Sequence, residues 1–217
     1  MKICFLASGN GGNLKFLYLT EKMGFLKNLN LYIIADRHCG SIDFANVYNI
    51  KNRVIKYNKN NNKELLSELK NINADVIITN WHKIIDEQTV KLYEGKMINL
   101  HYSLLPSFSG LIGIKPIEKA YEQNCQYVGA TCHYVDKGTD TGKIISQTII
   151  KADIEIEYAI QSVFQNACLI LLNSIILITN ERNNSSLTNN KKFNFSPSLQ
   201  FSDKMFDRKF WKKVSEL

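Results

Sequence analysis

The chain has 217 residues, of which 45% are hydrophobic, 22% charged and 11% aromatic. That composition supports one well-buried core with room for a small appendage and excludes disorder along the whole chain. The formal net charge is +7, and the segment 191–217, with seven Lys/Arg against three acids, carries four of those charges. A mild basic excess suits an anionic ligand such as a phosphate or a polyglutamate tail, and without a long Lys/Arg run nucleic acid is not expected as a partner.

The five cysteines, at 4, 39, 125, 132 and 168, form no CxxC pair and read as buried or idle thiols of a reducing compartment. The longest apolar stretch, Cys168 to Ile178, is broken by Asn173 and Ser174 and falls short of the roughly 20 residues that a bilayer span needs. The N-terminus runs straight into a strand-like segment rather than a leader. A cytoplasmic location with no membrane partner is expected.

In chain order, Ile3 to Ala7 is an apolar run closed by Ser8-Gly9 and reads as a buried strand. A helical pattern covers Leu14 to Met23, a second strand Leu31 to Ala35, a helix Ser41 to Tyr48 and a short third strand Val54 to Tyr57. Glu64 to Ile72 places Leu65, Leu66 and Leu69 on one helical face. A strand at Val76 to Thr79, a helix at Glu87 to Leu92 and a strand at Met97 to Leu100 follow. This alternation predicts an α/β fold, Rossmann-like, with a mainly parallel sheet and helices on both faces. Val128 to Tyr134 and Ile144 to Ile150 have no helix between them and predict an antiparallel extension. Ile154 to Asn180 is one long helical pattern with Ile160, Val163, Phe164, Ala167, Leu171 and Ile175 on one stripe. Asn183 to Asn190 reads as a loop, and the aromatic tail after it (Phe193, Phe195, Phe201, Phe206, Phe210, Trp211) is expected to dock on the body. The domain reading is therefore 1–180 for the main domain and 181–217 for a C-terminal aromatic and basic extension.

Two stretches carry chemistry. Gly9-Asn10-Gly11-Gly12-Asn13 joins the first strand to the first helix. Glycines there let the backbone approach an anion, and the helix N-terminus supplies free N–H groups and the positive end of its dipole. Phosphate is the natural guest. A dinucleotide fingerprint with Asp36 as the ribose acid fails at its third glycine, which falls at Leu14; a tight turn with no ligand is the plain alternative. Further on, Asn99 and His101 alternate at the end of a strand and so share one face, where ligands sit in open α/β sheets. Gly138-Thr139-Asp140-Thr141-Gly142 is a turn between two strands that carries one carboxylate. The four histidines, at 38, 82, 101 and 133, show no metal-ligand spacing, and no metal is expected. His133 reads equally as a core histidine or as support for the site.

Taken together, Asn99, His101, Ser103 to Pro106, Gly110 and the downstream Asp140-Thr141-Gly142 resemble the formyltetrahydrofolate-dependent formyltransferase family over about Met1 to Asn180. The resemblance implies 10-formyltetrahydrofolate as co-substrate and a primary amine as acceptor. It implies that Asn99 and a protonated His101 donate to the tetrahedral oxyanion, and that Asp140 moves the amine proton and holds His101 charged. It places the folate pteridine between His82-Lys83-Ile84-Ile85, running to Val90, and Asp136-Lys137-Gly138-Thr139.

The acceptor is the open question within that family. The purine-pathway members, which formylate glycinamide ribonucleotide, usually have Ser where this chain has Gly12, and Pro where it has Tyr102. They have Glu at the position that corresponds to Asn166 on the long helix, and Asp140-Thr141-Gly142 and Lys115-Pro116-Ile117 resemble the tRNA and amino-sugar branches more closely. The tRNA branch carries a sizeable C-terminal nucleic-acid domain, for which the residues after Asn180 are expected to be too few. The leading expectation is therefore a nucleotide-linked amino sugar. Its phosphate would sit on Gly9 to Asn13 (Gly9, Asn10, Gly11, Gly12, Asn13), and Tyr102, Ser103 and Asn166 would touch the acceptor. Glycinamide ribonucleotide is the alternative, and hydrolysis of formyl-folate to formate is less expected. A homodimer is compatible with the sequence.

Overall fold

The computed structural model describes residues 1–26, 28–179 and 194–217. They form two compact units, Met1–Ile98 with Lys212–Leu217, and Asn99–Trp211.

The first unit alternates strand and helix: β1 (Lys2–Ala7), α1 (Gly12–Lys22), β2 (Asn30–Ala35), α2 (Gly40–Val47), β3 (Lys51–Val54), α3 (Lys63–Ile72), β4 (Val76–Asn80), α4 (Glu87–Leu92) and the start of β5 (Met97–His101). β1 pairs with β2 and with β4, β2 with β3, and β4 with β5, all parallel. Every residue from Ile3 to Ala7 and from Val76 to Thr79 is buried. Successive strand residues point to opposite faces, so both faces of the sheet are covered here. Ala7 lies opposite both Ala35 and Asn80. Three strands therefore end level, and the segments after them, starting at Ser8, Asp36 and Trp81, emerge side by side.

The second unit contains Asn99–His101 of β5, α5 (Lys115–Glu122), β6 (Tyr127–Tyr134), β7 (Ile144–Lys151), α6 (Ile156–Thr179), β8 (Phe195–Ser196) and the first turn of α7 (Arg208–Glu216). β6 and β7 pair antiparallel, as does β7 with β8. The β6–β7 register shifts at Cys132/His133, where Cys132 faces Ser146 but His133 faces Ile144. Such an extra residue, here Ile145, bends the ladder and re-aims nearby side chains. α6 packs against β6 and β7, and residues 167–176 are buried on all sides rather than along one stripe. By length and composition α6 would pass as a membrane span, with a mean hydropathy of 1.8 in its most apolar window, yet 61% of that window is buried within the protein. It is a core helix. Asn173 ties the tail to it: its Oδ1 accepts the Gln200 amide at 2.7 Å. Phe195 pairs opposite Thr148, and Phe206 stacks edge-on against Phe210.

Within residues 1–180, two elements differ from the sequence-based reading. The third strand is Lys51–Val54, not Val54 to Tyr57. It is an exposed edge, where polar residues are favoured, while the buried Ile55 and Tyr57 lie in the coil after it. α5 carries no broad apolar pattern, burying only Pro116, Ile117 and Ala120, and was not expected from the sequence. The loop expected over Asn183 to Asn190, and Phe193 of the tail, lie outside the described residues.

Candidate functional site

In the second unit, Asn99, His101 and Asp140 meet. Asn99 Nδ2 donates to Asp140 Oδ1 at 3.3 Å, and His101 Nδ1 lies 3.4 Å from Asp140 Oδ2. The Asp140 side chain is 11% exposed and also accepts the Gly110 amide at 2.7 Å. Asp140 has φ 56, and Phe108, whose carbonyl faces His101 Nε2 at 3.0 Å, has φ 58. Left-handed backbone at non-glycine residues is sparsely populated, and the surrounding contacts must hold it. The site is thus built on two strained corners pinned to each other through His101, Asp140 and Gly110.

The protonation pattern follows from these contacts. Burial pushes His101 below the ordinary imidazole value, outweighing the Asp140 charge and the Phe108 carbonyl that favour the cation. The resting ring is therefore mainly neutral at pH 7. Its proton belongs on Nε2, facing the Phe108 carbonyl, which leaves the Nδ1 lone pair toward Asp140. Burial pushes Asp140 upward, but hydrogen bonds from His133 and the Gly110 amide lead the contacts that hold it below its ordinary value, so it is ionised.

His133 is the member whose role the sequence left undecided. Its Nε2 lies 3.6 Å from Asp140 Oδ1 and 3.4 Å from Asn99 Nδ2, and its Nδ1 faces the Tyr134 carbonyl at 2.8 Å. A carbonyl only accepts, so Nδ1–H donates to it and the ring turns its Nε2 edge toward Asn99 and Asp140. The one available signal was that His133 shares an eight-residue strand that ends just before the Asp140 turn; the register shift that aims it is invisible in the sequence.

Other predicted residues of this unit are placed as follows. Asp136 Oδ1 accepts from the Gly138 amide at 3.0 Å and from the Thr141 hydroxyl at 2.7 Å, which closes the turn carrying Lys137, Gly138 and Thr139, all three exposed. Ser103 is buried and donates to the Ser107 carbonyl, so its hydroxyl is committed to the turn after β5. Tyr102 is half-buried, as is Asn166 on α6.

In the first unit, α1 opens at Gly12 after Gly11 at φ 70, with no side-chain cap and no acidic residue in its first turn. A helix N-terminus of this kind favours an anion through its backbone N–H groups and dipole. The loop Gly9 to Asn13 is held from α2: the Ser41 hydroxyl donates to the Gly9 carbonyl at 2.7 Å and the Ser41 amide does so at 3.0 Å. Asn13 is buried. Beside the loop, the Ser8 hydroxyl donates to Asp36 Oδ1 at 2.9 Å and accepts the His82 amide at 3.1 Å. The Asp36 side chain is only 2% exposed, gripped by Arg37 at 2.7 Å with Lys83 at 3.9 Å. Burial raises its pKa, and the hydrogen bonds of Arg37 and Ser8 more than reverse that, to about 2. Along the next loop His82 and Lys83 are exposed, Ile84 is 64% exposed, and Ile85 and Val90 are buried. Among the described residues, no group of three or more His, Cys, Asp and Glu is arranged to hold a metal ion.

A family model described as Formyl transferase matches residues 1–165. Phosphoribosylglycinamide formyltransferase of Bacillus subtilis (strain 168) is 29% identical over 159 residues, covering 70% of this chain and 80% of that one. Formyltetrahydrofolate deformylase of Escherichia coli (strain K12) is 37% identical over 78 residues, covering 36% of this chain and 27% of that one. The crystal structure of phosphoribosylglycinamide formyltransferase from Bacillus halodurans matches with a TM-score of 0.75 at 25% identity, covering 85% of this chain and 98% of that chain.

Proposed function

This chain belongs to the formyl transferase family, as an enzyme that takes its one-carbon group from 10-formyltetrahydrofolate, and on that premise we propose that its acceptor is the primary amine of glycinamide ribonucleotide. The observation that carries this acceptor is the likeness to the Bacillus subtilis phosphoribosylglycinamide formyltransferase along 80% of that enzyme's length. It reverses the order expected from the sequence, in which a nucleotide-linked amino sugar came first.

In the proposed reaction the amine nitrogen attacks the formyl carbon and forms a C–N bond. The carbonyl electrons move to oxygen, and the tetrahedral intermediate collapses by breaking its bond to the folate nitrogen. The amine loses one proton and the folate nitrogen gains one. Asp140 and His101 Nδ1, 3.4 Å apart, hold that proton in transit: a proton arriving on Nδ1 turns a lone pair facing a carboxylate into a donor facing it. The oxyanion is met by the Asn99 amide. Asn99 Nδ2 has its contacts at rest, to Asp140 Oδ1 at 3.3 Å and His133 Nε2 at 3.4 Å, and contacts of that length are cheaply exchanged for a charged acceptor. The acceptor phosphate rests on the loop Gly9 to Asn13 at the α1 N-terminus, and the pteridine lies against the His82 to Val90 loop.

The amino-sugar reading keeps one specific support, the amide of Asn166 where the purine members carry a carboxylate for the acceptor ammonium. Steady-state turnover with 10-formyltetrahydrofolate decides among the readings. The acceptors are glycinamide ribonucleotide, a panel of nucleotide-linked amino sugars, and water. Fast turnover with glycinamide ribonucleotide is expected. Turnover with an amino sugar alone, or formate release without any amine, overturns the assignment.

A further inference from the structure

The loop from Trp81 to Asp86 has no regular secondary structure, so its shape depends on what grips it from outside. One buried hydroxyl does so at two backbone points. Tyr57 Oη accepts the Asp86 amide at 2.8 Å and lies 3.1 Å from the Ile84 carbonyl, to which it donates. It is also 3.2 Å from Asp86 Oδ2. That carboxylate is already served by Asn62 Nδ2 at 2.6 Å, the Thr89 amide at 2.9 Å and the Thr89 hydroxyl at 2.6 Å, which leaves the phenolic proton for Ile84. The Tyr57 ring stacks on Trp81 at 4.9 Å. Between the two gripped points lies Ile85, buried, next to Ile84, which stays 64% exposed. A loop that holds an apolar side chain out in solvent by clamping the backbone around it is arranged to present that side chain to a ligand.

We propose that Tyr57 is a positioning residue for the formyl donor: its hydroxyl fixes the Ile84–Asp86 backbone in the shape that receives the pteridine. This rests on the assignment of the His82 to Val90 loop to the folate. Burial pushes the Tyr57 hydroxyl up to about 12, so it keeps its proton across the working range.

The test is Tyr57→Phe, which keeps the ring on Trp81 and removes only the hydroxyl. Loss of a hydrogen bond that leaves a buried backbone group unpaired predicts about a tenfold rise in the KM for 10-formyltetrahydrofolate. The Kd for 5-formyltetrahydrofolate, measured by calorimetry, should rise by the same factor, with kcat and the acceptor KM unchanged. Hydrogen exchange of the 82–90 peptide should quicken without any ligand. Asn62→Ala is the control: it removes a contact to the Asp86 carboxylate but none to the loop backbone, and should lower Tm while leaving donor KM unchanged. Wild-type donor KM and Kd in Tyr57→Phe, or a loss spread equally over kcat and both KM values, overturns the inference. Quickened exchange in a chain whose wild type binds no folate keeps the clamp but overturns both its assignment to the donor and the functional reading.

Discussion

The Phe108 carbonyl oxygen sits 3.0 Å from His101 Nε2, on the side of the ring away from the Asp140 carboxylate. A main-chain acceptor therefore decides which imidazole nitrogen carries the resting proton, and so which one is free to receive another. His101 is a donor on one side and a base on the other, and the base side is the one that meets Asp140.

Asp140→Asn is expected to lower turnover by more than about a hundredfold, because the amide cannot hold the proton that the amine releases. His101→Ala is expected to lose about 10²–10³ in kcat, because the imidazole that shares the transferred proton with Asp140 is gone. Steady-state kinetics check both, with circular dichroism to confirm that the variants fold. Near wild-type turnover in either removes that residue from the mechanism.

Stability should fall on mild acidification. The folded His101 has a pKa below its ordinary 6.5, so the unfolded chain binds that proton more readily. The contribution of the neutral ring is complete above about pH 6.5 and is lost as pH drops from there toward the folded value. Asp140 acts in a lower window: its folded pKa lies below the ordinary 3.8, so its contribution is complete above that pH and is lost as pH falls through the folded value. Scanning calorimetry should find a Tm that declines below pH 6.5, and a shallower decline in His101→Gln. Parallel slopes in the two proteins would show that another group is responsible.

Gly11→Ala and Gly24→Ala separate backbone strain from crowding. Both glycines have left-handed backbone, φ 70 and φ 76, so each substitution costs about 1 kcal/mol. A Cβ at Gly24 meets nothing within 4 Å, whereas one at Gly11 falls 2.6 Å from the Ser41 hydroxyl that holds the Gly9 carbonyl. Chemical denaturation should show a modest loss for Gly24→Ala with unchanged kinetics. Gly11→Ala should lose more stability and raise the KM of the phosphorylated acceptor.

Asn173→Ala tests the seating of the tail on α6. The side chain is fully buried and accepts the Gln200 amide, so its removal leaves that amide without its partner at a cost of about 2 kcal/mol. Limited proteolysis should then cut between residues 194 and 205 faster than in the wild type, and an unchanged cleavage rate would mean that the aromatic contacts alone seat the tail.

The parallel strands were legible because buried strands are written as short apolar runs: Ile3 to Ala7 and Val76 to Thr79 are buried at every residue. The edge strand Lys51–Val54 was not, since an exposed strand has no apolar signature, and the buried Tyr57 beyond it misled the reading for the same reason it matters structurally. Asn99 and His101 could be placed together by strand alternation alone. Bringing Asp140 to them took the family resemblance, because nothing local encodes a contact between residues 41 positions apart. His133 was ambiguous because its direction depends on a one-residue slip in the β6–β7 ladder. The lowered pKa of His101 was out of reach because burial, which weighs more than the nearby carboxylate, cannot be read from composition.

The left-handed backbone at Asp140 narrows what this position can become. Elsewhere a glutamate can often stand in for an aspartate, with one more methylene and the same charge. Here only glycine and the short Asn and Asp side chains sit comfortably at such dihedrals, and of these only aspartate brings a negative charge. Chemistry and conformation converge on a single residue type, so Asp140→Glu should lose as much activity as Asp140→Asn although it keeps the carboxylate.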